Sequence, residues 1–374
     1  MLESATWTSL LMLGLLLLTL PLTGAFMAAM PYLMPKRECF AVTVPDAAVS
    51  DPFLRGLKRG YLGRMLAVTA LGTVVTAALF ALAGYGPGIV AFIVATLAVM
   101  LGGYGLMLRY RAKVRAYKRQ QGWEAEGAAS AGFVGDEPFP RAISLKWDLV
   151  YLVPIALTMA VGILGYGSIP DVVPMHIDLQ GNVTDWAPKS PGLVAFPVVF
   201  LLFVDGCMVF SHWSILRSKK ATDPAMPAAS AWAYGRFART QSILLLMCGL
   251  MMGVVGLAIQ LSFIGVLTIW ESAVACGVPI AIVVIGSLAV SVAYGQNGSR
   301  LISRMSESGA MATDDDRFWK AGIFYCNPAD ASLFLPERFG IGWTLNWGRP
   351  AAWAILAAFV LVTIGFMVAV LLLV

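Results

Sequence analysis

The chain has 374 residues, 59% of them apolar and only 13% charged, with a formal net charge of +5. A soluble domain carries roughly 45–50% apolar and about 25% charged residues, so too little charge is present here to cover a water-facing surface. The same figures exclude disorder, collagen-like repeats and disulfide scaffolds. The pI near 9 would point to nucleic acid only if the basic residues gathered on one soluble face, so none is expected as a partner.

A bilayer core of roughly 30 Å needs about 20 mostly apolar residues in a helix. Eight segments meet that length: 7–34, 61–83, 88–108, 149–166, 193–213, 241–263, 272–294 and 351–374. The second and third are separated only by Gly84-Tyr85-Gly86-Pro87, a helix-breaking run that predicts a tight hairpin. The first is preceded by Glu3 and by no basic residue, and it is longer than a secretory h-region, so it reads as a retained anchor. Pro21, Pro31, Pro154, Pro197 and Pro279 lie inside helices, as is common in membranes.

Sidedness follows from Lys and Arg, which stay on the cytoplasmic side. The connections 35–64, 109–148, 214–240 and 295–350 hold 25 of the 26 basic residues; the opposite side holds only Lys189. A missed or invented helix would have broken this alternation. The expected fold is an all-α polytopic membrane protein of about eight helices, with both termini outside. It divides into a three-helix region with basic cytoplasmic loops (1–148), a helix–loop–helix unit (149–215), a two-helix region (216–294), a cytoplasmic segment (295–350) and a final helix (351–374). Residues 120–140 read as a flexible linker. The five cysteines form no C-x-x-C pair and none lies outside, so they read as packing residues or free thiols.

The one sizeable outer loop, 167–192, holds the first candidate site. Pro170 and Pro174 stiffen its start and Gly181-Asn182 is a turn pair. His176 lies between them, near Asp171, Asp178 and Asp185, and Trp186 and Lys189 follow. A calcium loop starting at Asp178 fails, because glycine comes at the fourth place and Lys189 stands where a bidentate Glu belongs. Zinc fails for want of ligands on this side. Two readings stay open: a rigid cap that satisfies its own backbone, or a surface that contacts a ligand.

Pro170, Pro174, His176, Gly181, Trp186 and Lys189, at this spacing, resemble a short domain of unknown function found in bacterial membrane proteins. That domain is shared with the immunity proteins of the sporulation-delaying-protein toxin system. This chain departs from the pattern with Ile177 for an aromatic residue and Asp178 for Asn. The resemblance implies a membrane protein of the immunity or signalling kind.

Asp205, about 12 residues inside the fifth helix, is the second candidate. A carboxylate near mid-helix costs about 2.5–3.5 kcal/mol on insertion scales and usually faces the bundle interior. His212 follows seven residues later, on the same face but about 10 Å along the axis, and is nearer in depth to Asp148. Either Asp205 titrates in a proton or cation relay with His212 passing protons, or it is a protonated acid hydrogen-bonded to a neighbouring helix.

The cytoplasmic stretch from Asp314 to Pro350 carries a second resemblance. Asp315-Asp316-Arg317-Phe318-Trp319-Lys320-Ala321-Gly322, then Tyr325-Cys326-Asn327-Pro328 and Arg338-Phe339-Gly340-Ile341-Gly342-Trp343-Thr344-Leu345-Asn346, look like another domain of unknown function that often accompanies the first. Here 323–325 and 332–335 predict a short hairpin across Asn327-Pro328. Trp319, Trp343 and Trp347 suit the membrane–water boundary. The segment is either an interfacial loop or a docking site for a cytoplasmic protein. Basic clusters at 109–119 and 217–220 are explained by topology.

No Walker loop, G-x-S-x-G elbow, H-E-x-x-H or dinucleotide fingerprint occurs, so no enzyme activity and no cofactor are expected. The leading expectation is a sensor or immunity-type protein of the bacterial cytoplasmic (inner) membrane. Its partners would be the bilayer, a peptide at the outer loop and a cytoplasmic protein at 314–350. The alternative is a proton-coupled transporter using Asp205.

Overall fold

The computed structural model describes residues 7–35, 37–124, 139–177, 183–220, 226–302, 314–339 and 342–373. Helix α1 (Trp7–Leu33) leads to a two-stranded ladder of β1 (Glu38–Cys39) and β2 (Val42–Thr43), then to α2 (Pro52–Ala83) and α3 (Tyr85–Gln120). A 3-10 turn, Leu145–Tyr151, runs into α4 (Leu152–Gly165). After it come β3 (Val172–Ile177), β4 (Val183–Pro188), α5 (Gly192–Arg217), α6 (Pro227–Phe263), α7 (Ile269–Tyr294) and the one-turn α8 (Ser299–Ile302). The short strands β5 (Trp319–Lys320), β6 (Phe324–Tyr325), β7 (Phe334–Pro336) and β8 (Trp343–Leu345) precede α9 (Pro350–Leu373). Among the described residues eight helices are long and apolar enough to cross a membrane, so the chain is an all-α polytopic membrane protein.

Several helices outrun their apolar segments. The Asp51 carboxylate caps α2 by accepting from the N–H groups of Phe53 (2.8 Å) and Leu54 (3.1 Å), and Pro52 occupies the first helical position. Helix α2 therefore starts nine residues before the apolar run, and α3 and α6 likewise project beyond theirs. An apolar run measures the bilayer, not the helix. The α2–α3 break is sharper than expected: Gly84 alone, at φ 87°, turns the chain.

The helices pack in two groups. In the first, α1, α2 and α3 share a core with the β1–β2 turn, where Phe40 is fully buried against Tyr61 (ring centroids 5.4 Å) and Tyr110 (5.0 Å). Phe40 (φ 50°) and Ala41 (φ 57°) form a two-residue turn with both residues left-handed, a conformation that Asn-Gly usually supplies. In the second group, α6 presents Gly249, Gly253 and Gly256 as notches. A Cβ at these positions would meet Tyr151 (2.4 Å), Pro154 (2.7 Å) and Leu201 (2.6 Å). The missing side chains let α4 and α5 lie against α6, the close approach that small residues permit in membranes. Helix α9 packs along α5, with Phe203 and Phe366 stacked at 4.2 Å.

The connections rich in Lys and Arg meet at one end: Lys118 pairs with Asp314 and Lys219 with Asp330. Gly192 touches the backbone of Leu373 at the other end, beside the β3–β4 hairpin. All five cysteines are free thiols.

The outer loop folds as an antiparallel hairpin of β3 and β4. Two local expectations are corrected. In the cytoplasmic segment, 323–325 does not pair with 332–335. Instead Trp319 faces Tyr325 and Lys320 faces Phe324 around Ala321 (φ 49°) and Gly322 (φ 81°), while Phe334–Pro336 pairs with Trp343–Leu345. The reason lies at Asn327, whose N–H donates to the buried Asn346 Oδ1 (3.0 Å) rather than into a strand ladder. Finally, Trp319 is buried in protein beneath the Arg338 guanidinium (5.1 Å from the ring centroid) and does not face the membrane boundary.

Candidate functional site

The outer hairpin has two faces. Val173 and Ala187, directly opposite each other, point inward and join Ile169, Leu193 and Phe263 in an apolar cluster at the ends of α5 and α6. Val172, Pro174, Trp186 and Pro188 are exposed on the other face, with Pro174 opposite Trp186 and Trp186 55% exposed. A bulge follows Pro174, and His176 pairs with Asp185 along the backbone. Lys189 is engaged beneath the hairpin: Nζ donates to the carbonyls of Ile169 (2.9 Å) and Gly167 (3.3 Å) and lies over the Tyr166 ring. Pro170 is exposed just before β3. Asp178 and Gly181 lie outside the described residues.

Inside the membrane, Asp205 is 4% exposed, and neither carboxylate oxygen has a hydrogen-bond partner among the described residues. The reading of Asp205 as an acid bonded to a neighbouring helix is therefore not met. His212 does not touch Asp205. Its Nδ1 lies 2.9 Å and 3.0 Å from the two oxygens of Asp148, and its Nε2 lies 3.0 Å from the Ile143 carbonyl. Tyr151, one turn along from Asp148, donates to the Leu245 carbonyl (3.0 Å) and is within electrostatic range of both Asp148 and Asp205.

At the cytoplasmic end, α5 runs straight into the C-terminal segment. The Lys219 N–H donates to the Phe334 carbonyl (2.9 Å), Ser218 bridges to Phe334, and Lys219 Nζ pairs with Asp330 (2.7 Å). Trp213 packs edge-on against Phe334 (5.2 Å). Asn346 ties the segment together, since its Nδ2 donates to the carbonyls of Asn327 (2.8 Å), Asp330 (3.2 Å) and Ser332 (3.2 Å).

The same segment grips the first helix group through a charge cluster. The buried Arg338 guanidinium donates to Asp315, to Asp316 and to Thr43 Oγ1 (2.9 Å), and its Nε lies 3.5 Å from Glu38. Lys118 donates to Asp314 (2.8 Å) and Asp316 (2.7 Å). Arg111 donates to the Ala41 carbonyl, to that of Phe40 (3.3 Å) and to that of Trp319 (3.1 Å), so it holds the strained turn and the segment together. Burial pushes the Asp316 carboxyl up, but Arg338, Lys118 and the Thr43 N–H outweigh it and hold it down at about 2. Burial wins at Glu38, which is pushed up to about 8 despite Arg338. Sequence reasoning placed Asp315, Asp316 and Arg338 in a motif without a role, and passed over Glu38. It took Arg111 and Lys118 for topology signals. A cation inside an aromatic, apolar stretch was the available clue at Arg338.

Two family matches fall on these parts. Residues 153–201 match a family described as a domain of unknown function (DUF1648), and residues 328–353 match a family of unknown function (DUF5808). The first covers α4, the outer hairpin and the start of α5; the second covers β7, β8 and the start of α9. Asp315, Asp316 and Lys118 lie outside both. No curated protein and no solved structure matches the chain.

Proposed function

We propose that the protein is a non-enzymatic sensor of the immunity kind in the bacterial cytoplasmic membrane. Its outer hairpin meets a peptide or other envelope-active ligand, and residues 314–350 relay the event to a cytoplasmic protein. The observation that carries this reading is the continuity of α5. Its outer end shares an apolar cluster with the inward face of the hairpin, and its inner end holds β7 through Trp213, Ser218 and Lys219. A 26-residue helix spans about 39 Å and runs on unbroken through Pro197, so displacement of the hairpin reaches β7 along a single element. The outward face of Val172, Pro174, Trp186 and Pro188 offers apolar contact of the kind an amphipathic peptide seeks.

Cells lacking the protein are expected to become more sensitive to at least one membrane-active peptide. The wild-type protein restores resistance, whereas Trp186→Ala and His176→Ala, present in the membrane at wild-type level, do not. Unchanged sensitivity across a broad peptide panel overturns the reading.

A further inference from the structure

Hydrogen-bond arithmetic at His212 leads beyond the sensor reading and does not depend on it. The Ile143 carbonyl can only accept, so His212 Nε2 carries a hydrogen. With Nε2 protonated, a neutral imidazole would turn the bare lone pair of Nδ1 toward the Asp148 carboxylate, 2.9 Å and 3.0 Å away, and two acceptors would face each other. One more proton must lie between them, on Nδ1 or on the carboxyl. The buried pair, His212 fully enclosed and Asp148 nearly so, thus holds a proton beyond those of a carboxylate and a neutral ring.

Asp205 lies on the same helix, seven residues or about 10 Å further into the membrane, with both oxygens unpartnered. Buried polar groups are almost always satisfied, so an enclosed carboxyl with neither donor nor acceptor in reach is a group placed for something other than stability. Tyr151 stands on the turn leading into α4, and its ring and hydroxyl fill the notch at Gly249 on α6. Among the described residues, the ionisable groups within electrostatic range of Tyr151 are Asp148, Asp205 and, on α6, Cys248; α9, which packs along α5, brings none.

We propose that Asp205 is a proton-binding site served from the cytoplasmic face by the Asp148–His212 pair, with water carrying the proton along the two helical turns between them. In the loading step, the pair gives its extra proton to a water molecule at its membrane side, and a water molecule beside Asp205 gives a proton to the carboxylate. Asp205 becomes a neutral acid, the water between is restored, and the pair, left with two facing lone pairs, takes its replacement proton from cytoplasmic water. Protons and charge balance without a co-reactant. Loading also removes the negative charge of the enclosed Asp205 carboxylate.

Infrared difference spectroscopy on proteoliposomes tests this directly. A pH drop on the cytoplasmic face is expected to raise a protonated-carboxyl band in the wild type. Asp205→Asn loses the band, and Asp205→Glu, which keeps the acid, shifts it. His212→Gln keeps the band but slows its rise by roughly a hundredfold, the scale of a lost positioned proton donor. A carboxyl signal that does not respond to pH, or that survives in Asp205→Asn, overturns the proposal. Equal rates in His212→Gln and wild type overturn the route through the pair.

Discussion

Arg338 faces Glu38, Asp315 and Asp316, and one guanidinium does not neutralise three buried or half-buried carboxylates. The charges resolve by separation. Asp316 stays ionised because Lys118 and Thr43 add to Arg338, while Glu38, with one oxygen unpartnered, keeps its proton to about pH 8. Between the ordinary carboxyl range and that value the folded protein holds a proton that the unfolded chain releases, so stability falls as pH rises through the window. Asp316 acts in the opposite direction, contributing stability that is lost only as pH falls toward about 2. The thermal midpoint of the purified protein is therefore expected to drop from about pH 6 to about pH 9, and Glu38→Gln, which cannot ionise, to flatten that drop. An equally steep fall in the Gln variant removes Glu38 as the proton holder. Truncating Arg338 to Ala should cost about 3–5 kcal/mol, because it strands the acids it now serves.

The glycine notches of α6 decide how closely α4 and α5 approach it. The three carbons that Gly253→Val adds run into Pro154, and overpacking of this kind costs about 1–3 kcal/mol. Gly277→Val on α7, where a Cβ meets open space, should change stability by no more than about 0.5 kcal/mol. Thermal unfolding in detergent separates the two; equal midpoints would mean that α4 has room to retreat. These helices were legible because lipid imposes one length and one charge rule along the whole chain. The depth argument that set His212 nearer to Asp148 than to Asp205 used the same regularity. The cytoplasmic segment obeys no such rule. Its strands of two or three residues carry no period, and the bonds that fix it join residues as far apart in sequence as Arg338 and Thr43, 295 positions, or Arg111 and Trp319, 208 positions. The Phe40-Ala41 turn was hidden for a different reason. Its left-handed residues are held by a buried ring and by Arg111, not by the Asn or Gly that would have signalled them.

At the scale of the molecule, the two helix groups are bridged by the cytoplasmic segment, which holds the first through Arg338, Arg111 and Lys118 and the second through β7 and Lys219. That arrangement requires residues 37–51, 218–220 and 314–339 to share one side of the membrane, because they touch. It also requires the β3–β4 hairpin, reached across the full length of α5, to lie on the other. The imbalance of Lys and Arg then fixes which side is which, since positive charge is retained in the cytoplasm. A membrane-impermeant thiol reagent is expected to label Thr184→Cys in intact cells, and Ala329→Cys only after the membrane is opened, both being exposed positions. The reverse pattern would invert the protein and place the hairpin inside. Labelling of both in intact cells contradicts the geometry itself, because a 26-residue apolar helix separates the hairpin from the segment that carries position 329.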